Sequence, residues 1–184
     1  MIYFQNLIKS TFLLATSLIM SGCAIGSMVG LIEFAATTER HQVQMLSDPQ
    51  LKELSKKIWF ADVDDMPASY LFITEKPAEN EKVAIMRFYD LRKQQIIYEI
   101  DLLNKNGRYG LLKMVASTEA LALNEYLKEV MNLYLGSLTY GEFNRLYKSI
   151  DERATQKIEA YQTKANAEIN TSNFGNSGGS SSSY

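Results

Sequence analysis

The side chains that usually carry enzyme chemistry are scarce in this 184-residue sequence, which has one cysteine, Cys23, and one histidine, His41. A catalytic serine or cysteine works with a neighbouring base, and no such pair can be assembled around His41 in the polar stretch TTERHQVQM. One cysteine and one histidine also fall short of an ordinary zinc site. We therefore expect His41 to be an exposed linker residue, and we predict no catalytic residue, no metal site and no cofactor.

Three aspartates close together, Asp62, Asp64 and Asp65, resemble part of a calcium-binding loop. An EF-hand loop also needs a glycine at its sharp turn and a glutamate at its end that binds through both oxygens. Both are missing here. A solvated acidic loop is the better interpretation.

Paired carboxylates of the kind that glycoside hydrolases use are the remaining route to catalysis. The candidates are Glu33, Glu39, Glu99 and Glu119. Nothing in their spacing selects a pair, and Asp151 falls on a charged helix face that we expect to be solvated. We predict that the protein is not an enzyme, and a cleft lined by two inward-facing carboxylates would favour the opposite conclusion.

The amino terminus has the layout of a secretory signal, in which a positive residue precedes an apolar run and then small residues. Lys9 is followed by an apolar run over residues 11–20 and by Ser21-Gly22-Cys23. The end of this pattern, Met20-Ser21-Gly22-Cys23, resembles a bacterial lipobox, although Leu is commoner than Met at its first position. The resemblance implies that residues 1–22 are removed and that Cys23 carries the lipid.

The lipoprotein resemblance also implies a location. In such lipoproteins Asp after the cysteine favours retention in the inner membrane, and this chain has Ala24 there. The expected location is therefore the outer membrane of a Gram-negative cell, with the lipid-anchored body facing the periplasm. Two or three acyl chains hold a soluble domain firmly, since each buried CH₂ contributes about 0.8 kcal/mol.

An uncleaved transmembrane helix is the alternative for the same region. Apolar character continues past Cys23, and no charged residue occurs between Lys9 and Glu33. This uncharged stretch is longer than the ~20 residues that a helix needs to span a bilayer. Gly22, Gly26 and Gly30 would form a small-residue face on which another helix can pack. Both interpretations place the rest of the chain outside the inner membrane.

The body of the sequence predicts an all-α fold, an elongated antiparallel three-helix bundle or helical hairpin. A short helix is expected from Ser47-Asp48-Pro49 to about Ala61, with one apolar face formed by Leu51, Leu54 and Ile58. Three long helices follow, over residues 77–106, 109–135 and 139–169. Pro77 fits the first turn of the first helix, and residues 106–107 end that helix. Gly136 ends the second helix, and a capping box from Thr139 to Glu142 begins the third.

Two stretches depart from this helical periodicity. Residues 70–74, YLFIT, are extended in pattern, and with no second strand to pair with we expect them to lie across helices. Residues 170–184 are uncharged and rich in Ser, Gly and Asn, which is typical of a disordered tail. The predicted organisation is therefore a signal peptide over 1–22, a lipidated linker over 23–46, a helical domain over 47–169 and the tail.

Residues 135–143, LGSLTYGEF, resemble the helix-turn-helix of short C-terminal oligomerisation segments in bacterial proteins. The resemblance extends weakly over residues 135–150. It implies self-association.

The composition narrows the classes of partner. With 19 basic and 21 acidic residues and a formal charge of −2, the chain lacks the positive surface that nucleic-acid binding requires. We expect a lipid-anchored envelope protein whose helical module binds a protein partner or a second copy, with no small-molecule substrate evident. The alternatives are an envelope enzyme acting on cell-wall or lipid material through carboxylates, and a secretion or conjugation machine subunit held by an uncleaved helix.

Overall fold

The computed structural model describes residues 36–37, 40–41, 43–61, 63–106 and 110–174. The predicted signal peptide, Cys23 and residues 175–184 lie outside these ranges. Within them the chain forms helices, turns and irregular segments without any strand, which confirms the all-α prediction.

Three long helices make up the bundle: α1 over Lys82–Asn106, α2 over Gly110–Tyr134 and α3 over Tyr140–Phe174. α2 packs against both α1 and α3. The ammonium group of Lys82, at the start of α1, lies 5.5 Å from the ring centre of Tyr134, at the end of α2, so these two helices are antiparallel. Between α2 and α3, Glu125 accepts a hydrogen bond of 2.6 Å from Arg153. The predicted three-helix bundle is confirmed.

The link between α2 and α3 forms as its local sequence predicts. Gly136 has a φ of +73°, a conformation that costs little only for glycine. Its N–H bonds to the carbonyl of Leu133 at 2.8 Å, and the N–H of Ser137 bonds to the carbonyl of Asn132 at 2.9 Å, the paired pattern that closes a helix C-terminus. Thr139 Oγ1 then accepts from the Glu142 N–H at 3.2 Å, and the Glu142 carboxylate accepts from the Thr139 N–H at 2.7 Å.

The last helix is longer than the sequence predicts, because α3 continues to Phe174 and the tail was expected to begin at residue 170. Extending an existing helix adds a hydrogen bond for each residue fixed, so a helix readily runs past its last apolar contact. The first residues of the predicted tail are therefore helical.

Before the bundle, the prediction of one helix from Pro49 to Ala61 is wrong. Residues 43–47 are helical, residues 49–53 form turns, and only Leu54–Lys56 form a short 3₁₀ helix. The Asp48 side chain caps as expected, accepting from the Gln50 N–H at 2.9 Å, but the following hydrogen bonds alternate between three- and four-residue spacing. The predicted apolar face is nevertheless right, since Leu51, Leu54 and Ile58 are all buried. Both hydrogen-bond spacings bring these residues to nearly the same side of the chain.

The stretch predicted to be extended divides into two parts. Tyr70 and Leu71 belong to a one-turn helix, Ala68–Leu71, whereas residues 73–78 have no regular structure and cross the N-terminus of α3. The expectation that residues 70–74 lie across a helix instead of joining a sheet is confirmed for Ile73 and Thr74, and the crossing continues to Glu75.

Two apolar clusters fill the interior. The large core cluster is built from Met45, Leu51, Leu54, Ile58, Phe60, Val63, Met66, Ile85, Phe88, Leu91, Tyr126, Val130, Leu133, Tyr140, Phe143, Tyr147 and Ile150. The small core cluster is built from Leu102, Leu103, Val115, Ala116, Ala154 and Ile158, near the connection of α1 and α2. On α1 the polar side chains Arg92, Gln95 and Glu99 lie between the two clusters, whereas on α2 Ala122 packs against both.

Candidate functional site

The buried polar side chains near the boundary of the two clusters, together with two tyrosines of the large core cluster that contact them, are here called the polar layer. It comprises Arg92, Gln95 and Glu99 of α1, Glu119 and Tyr126 of α2, and Tyr147 and Asp151 of α3. Residues spaced three, four or seven apart lie on the same face of a helix, so each helix directs its members toward the bundle axis. Most members are at least nine-tenths buried, including the ionisable Arg92, Glu99 and Asp151 at 6%, 5% and 8% exposure.

Hydrogen bonds connect part of the polar layer into a chain. The Arg92 guanidinium donates to Gln95 Oε1 at 3.1 Å and to the Tyr147 hydroxyl at 3.1 Å. Gln95 Nε2 in turn donates to Glu99 Oε1 at 2.9 Å. The guanidinium also lies 5.6 Å from the ring centre of Tyr126, close enough for a cation–π attraction. Arg92, which belongs to α1, thereby contacts a tyrosine on α2 and a tyrosine on α3.

A small cavity of about 40 Å³ opens within the polar layer. Its walls include Arg92, three carboxyl groups and two tyrosines, with apolar side chains completing them. Two polar atoms at these walls, Glu119 Oε1 and the Tyr126 hydroxyl oxygen, are buried and have no hydrogen-bond partner among the described residues. Such atoms are uncommon in native interiors and mark a place where something else satisfies them.

Burial changes the acid–base behaviour of Glu119. Loss of water around the carboxyl group raises its pKa to about 8, and the nearby Glu99 and Asp151 add to the rise while Arg92 opposes it. The Glu119 carboxyl therefore carries its proton at neutral pH. For Arg92, burial alone would lower the pKa, but Tyr147, Tyr126 and the two carboxylates outweigh it, so the pKa is raised and the side chain stays a cation.

The size of the cavity limits what the polar layer can do chemically. Ligand pockets usually measure about 300–1,000 Å³, and this cavity of about 40 Å³ fits a few water molecules and no sugar ring or acyl chain. Within the described ranges, no group of three or more His, Cys, Asp or Glu side chains has the geometry to hold a metal ion. The arrangement suits bound water and proton uptake better than turnover of a large substrate.

Two of the four candidate carboxylates predicted from the sequence belong to the polar layer. Glu99 and Glu119 come together at the cavity, but Glu33 lies outside the described residues and Glu39 does as well. The expectation for Asp151 is wrong, because it lines the cavity and is buried instead of lying on a solvated face. Asp151 lies one turn beyond the buried Tyr147, and this spacing was the available signal.

His41 is also not the exposed linker residue that the sequence suggested. It lies in a helical stretch, its ring meets Tyr98 edge-on at 5.9 Å between ring centres, and its Nδ1 is buried without a partner in the part of the chain described. Met45, four residues further on, is only 2% exposed. His41 and Met45 therefore belong to the folded body. Asp64 and Asp65 are exposed as expected.

A second set of buried polar contacts, here called the junction, fixes residues 57–75 to the start of α3. Asn144 is fully buried, and its Nδ2 donates to the carbonyl oxygens of Lys57 at 2.8 Å and Tyr70 at 3.0 Å. Its Oδ1 accepts from the Trp59 N–H at 3.4 Å. One side chain thus satisfies three backbone groups that a helix or sheet would otherwise satisfy.

Backbone groups complete the junction. The N–H groups of Tyr140 and Gly141, at the first turn of α3, donate to the carbonyls of Glu75 and Ile73, both at 2.9 Å. The approach is so close that a Cβ on Gly141 would lie 2.6 Å from the Ile73 oxygen and 2.7 Å from the Leu71 oxygen. Arg145 donates to the same Leu71 carbonyl. The crossing segment thereby occupies the N–H groups that a helix start leaves free.

Charged side chains cover the outer edge of the junction. The Lys57 ammonium group contacts Glu75 at 2.6 Å and Glu81 at 2.8 Å, and these two hydrogen bonds raise the pKa of Lys57. The Tyr140 hydroxyl donates to Glu81 at 3.0 Å. Each of these side chains has a partner, so the junction is a stabilising contact.

The segment that resembles an oligomerisation motif is used inside the chain. Tyr140 and Phe143 are fully buried, and Tyr147 and Ile150 belong to the large core cluster as well. In the described ranges no helix has the length and apolar character needed to cross a membrane. Comparison of the chain with protein-family models, with curated proteins and with solved structures finds no match.

Proposed function

We propose that the chain is a lipid-anchored cell-envelope protein whose helical bundle is a binding or structural module facing the periplasm, held at the outer membrane. The observation that carries the proposal is the sequence Met20-Ser21-Gly22-Cys23, which places the only cysteine directly after an apolar run and two small residues. Such a cysteine lies where a membrane-embedded enzyme can reach its thiol, and the attached chains then anchor the bundle.

The geometry of the body supports a module that acts through its surface. The cavity in the polar layer is small, about 40 Å³, and does not enclose a cell-wall or lipid substrate. Phe72, Val83 and Leu135 are exposed by 75%, 73% and 66%, so each leaves apolar surface in water that a bound protein would cover. A protein partner or a second copy therefore suits the bundle better than a small molecule.

Mass spectrometry of the protein purified from bacterial membranes tests the anchor. The proposal requires the mass of residues 23–184 plus acyl chains, and an intact start at Met1 would support the secretion or conjugation subunit with an uncleaved helix. Cys23→Ser should lose the added acyl mass, while Ser21→Ala, which keeps a small residue, should retain it. If the parent protein carries no acyl mass that depends on Cys23, the lipid anchor is rejected.

A carboxylate-dependent envelope enzyme is the second candidate, and one observation favours it. Glu99, Glu119 and Asp151 converge on one cavity, and the raised pKa of Glu119, about 8, suits a general acid. Incubation of the purified protein with peptidoglycan fragments and with phospholipid distinguishes the two candidates. Hydrolysis that is lost in Glu119→Gln would establish the enzyme, and the proposed module should show none.

A further inference from the structure

The unsatisfied atoms of the polar layer face one small space. Tyr126 is only 4% exposed, and its hydroxyl lies near the Arg92 guanidinium without a hydrogen bond of standard geometry among the described residues. It lines the same cavity as Glu119, whose Oε1 makes no hydrogen bond to those residues either. A buried hydroxyl or carboxyl oxygen left without a hydrogen bond costs about 1–3 kcal/mol. Two such atoms in one cavity call for a shared ligand.

We propose that the cavity is a built binding site for ordered water, and that one bound water bridges Glu119 Oε1 and the Tyr126 hydroxyl. Space for a water requires roughly 10–15 Å³, and the cavity measures about 40 Å³. A buried water usually makes about three hydrogen bonds to groups that would otherwise be unsatisfied. Besides Glu119 Oε1 and the Tyr126 hydroxyl, the cavity is lined by Arg92, Glu99, Tyr147 and Asp151. These four side chains have partners of their own and add polar surface to the walls.

The chemistry of the walls favours water over an ion. Glu99 and Asp151 repel anions, and the fixed cation Arg92 repels cations. The neutral Glu119 carboxyl, whose pKa burial raises to about 8, both donates and accepts hydrogen bonds, as water does. The site is independent of whether Cys23 carries a lipid.

Tyr126→Phe tests the bridge through the sign of its effect on stability, because it removes one oxygen and keeps the ring. If water occupies the site, the variant loses a hydrogen bond, and the unfolding equilibrium constant should rise by about three- to tenfold. If the cavity is dry, the variant removes an unsatisfied hydroxyl, and the constant should stay the same or fall. Urea denaturation of the detergent-solubilised full chain measures the change, with Tyr89→Phe as the matched control for loss of a hydroxyl outside the cavity.

A double-variant cycle assigns the water to this pair. Glu119→Leu and Tyr126→Phe each break the same bridge, so the double variant should raise the unfolding constant by clearly less than the product of the single effects. Independent effects that multiply would overturn the proposal. The direct measurement is magnetic cross-relaxation between water and the Tyr126 ring protons, which a long-lived bridging water produces and a dry cavity does not.

Discussion

The junction and the polar layer both bury polar side chains between helices, but they satisfy them differently. At the junction, Asn144 uses both ends of its amide on backbone groups, and Lys57 and Tyr140 each have partners. In the polar layer, Arg92 and Gln95 are connected by hydrogen bonds while Glu119 and Tyr126 each present an unsatisfied oxygen to a cavity. The two regions therefore differ in how far their buried polar atoms are satisfied by the described residues.

The largest effect is expected at the closest backbone approach of the junction. Gly141→Ala would place its Cβ 2.6 Å from the Ile73 oxygen, so the crossing segment must move away from α3. We expect a loss of about 4 kcal/mol, above the usual range for overpacking because backbone atoms are displaced. Thermal denaturation measures it. Gly136→Ala is the control, since space is open there and only the positive φ opposes the change, at about 1 kcal/mol.

Removal of the Asn144 amide tests whether the junction depends on one side chain. Asn144→Ala leaves the carbonyls of Lys57 and Tyr70 and the N–H of Trp59 without their partner, and we expect a loss of about 3 kcal/mol. Asn132→Ala, whose amide contacts only the Glu129 side chain, is the matched control. Equal denaturation midpoints for the two variants would show that the junction is not held by Asn144.

A third prediction separates the regions by their response to pH. The pKa of Glu119 rises from its ordinary 4.5 to about 8 in the folded chain, because of burial and then Glu99 and Asp151, against Arg92. Between these values the unfolded chain has released a proton that the folded chain keeps. The contribution of Glu119 to the free energy of unfolding is therefore fully present below about pH 4.5. It decreases as the pH rises toward 8 and is lost above pH 8.

Glu119→Gln keeps the shape of the neutral carboxyl and cannot ionise. We expect the variant to be more stable than the parent by about 2 kcal/mol at pH 9 and equally stable near pH 5. The full pKa shift of Glu119 would correspond to a larger free energy, and partial access of solvent to the carboxyl group reduces it. Tyr126 and Tyr147, which also line the cavity, remain in both proteins. Denaturation curves at the two pH values provide the measurement, and a constant difference between the proteins would contradict the assigned proton.

The smallest effect is expected at the cap of α3. Thr139→Ala removes the oxygen that accepts from the Glu142 N–H at 3.2 Å, and about 1 kcal/mol should be lost. Thr139→Ser retains that oxygen and should differ little from the parent. A loss as large as that of Asn144→Ala would mean that the cap and not the buried amide holds the junction.

The parts of the fold that could be predicted are those specified by neighbours in the chain. Gly136, Thr139 and Glu142 end one helix and begin the next through bonds within five residues, and their sequence is enough to recognise them. Residues 49–58 show the limit of such signals, because the apolar spacing identified the buried face of Leu51 and Leu54 but not the type of turn.

The candidate site was predicted only in fragments. Glu99 and Glu119 were named, yet their meeting with Asp151 depends on the register of three helices, which is set by packing over the whole bundle. Arg92 and Gln95 interrupt the apolar face of α1. A polar residue at such a position can be recognised as part of a buried hydrogen-bond network only when the residues that it contacts on other helices are known. Gly141 carries no local sign of the carbonyl oxygens that exclude a side chain there.

The division of the apolar interior has a consequence for the way the bundle opens. The small core cluster holds the end of the bundle where α1 passes into α2, and it has far fewer members than the large core cluster. Segments with few buried apolar contacts unfold locally at a lower free energy than the molecule as a whole. Backbone amides of Leu102 and Val115 should therefore exchange with deuterium sooner than those of Phe88 and Val130, so that this end of the bundle opens before the rest.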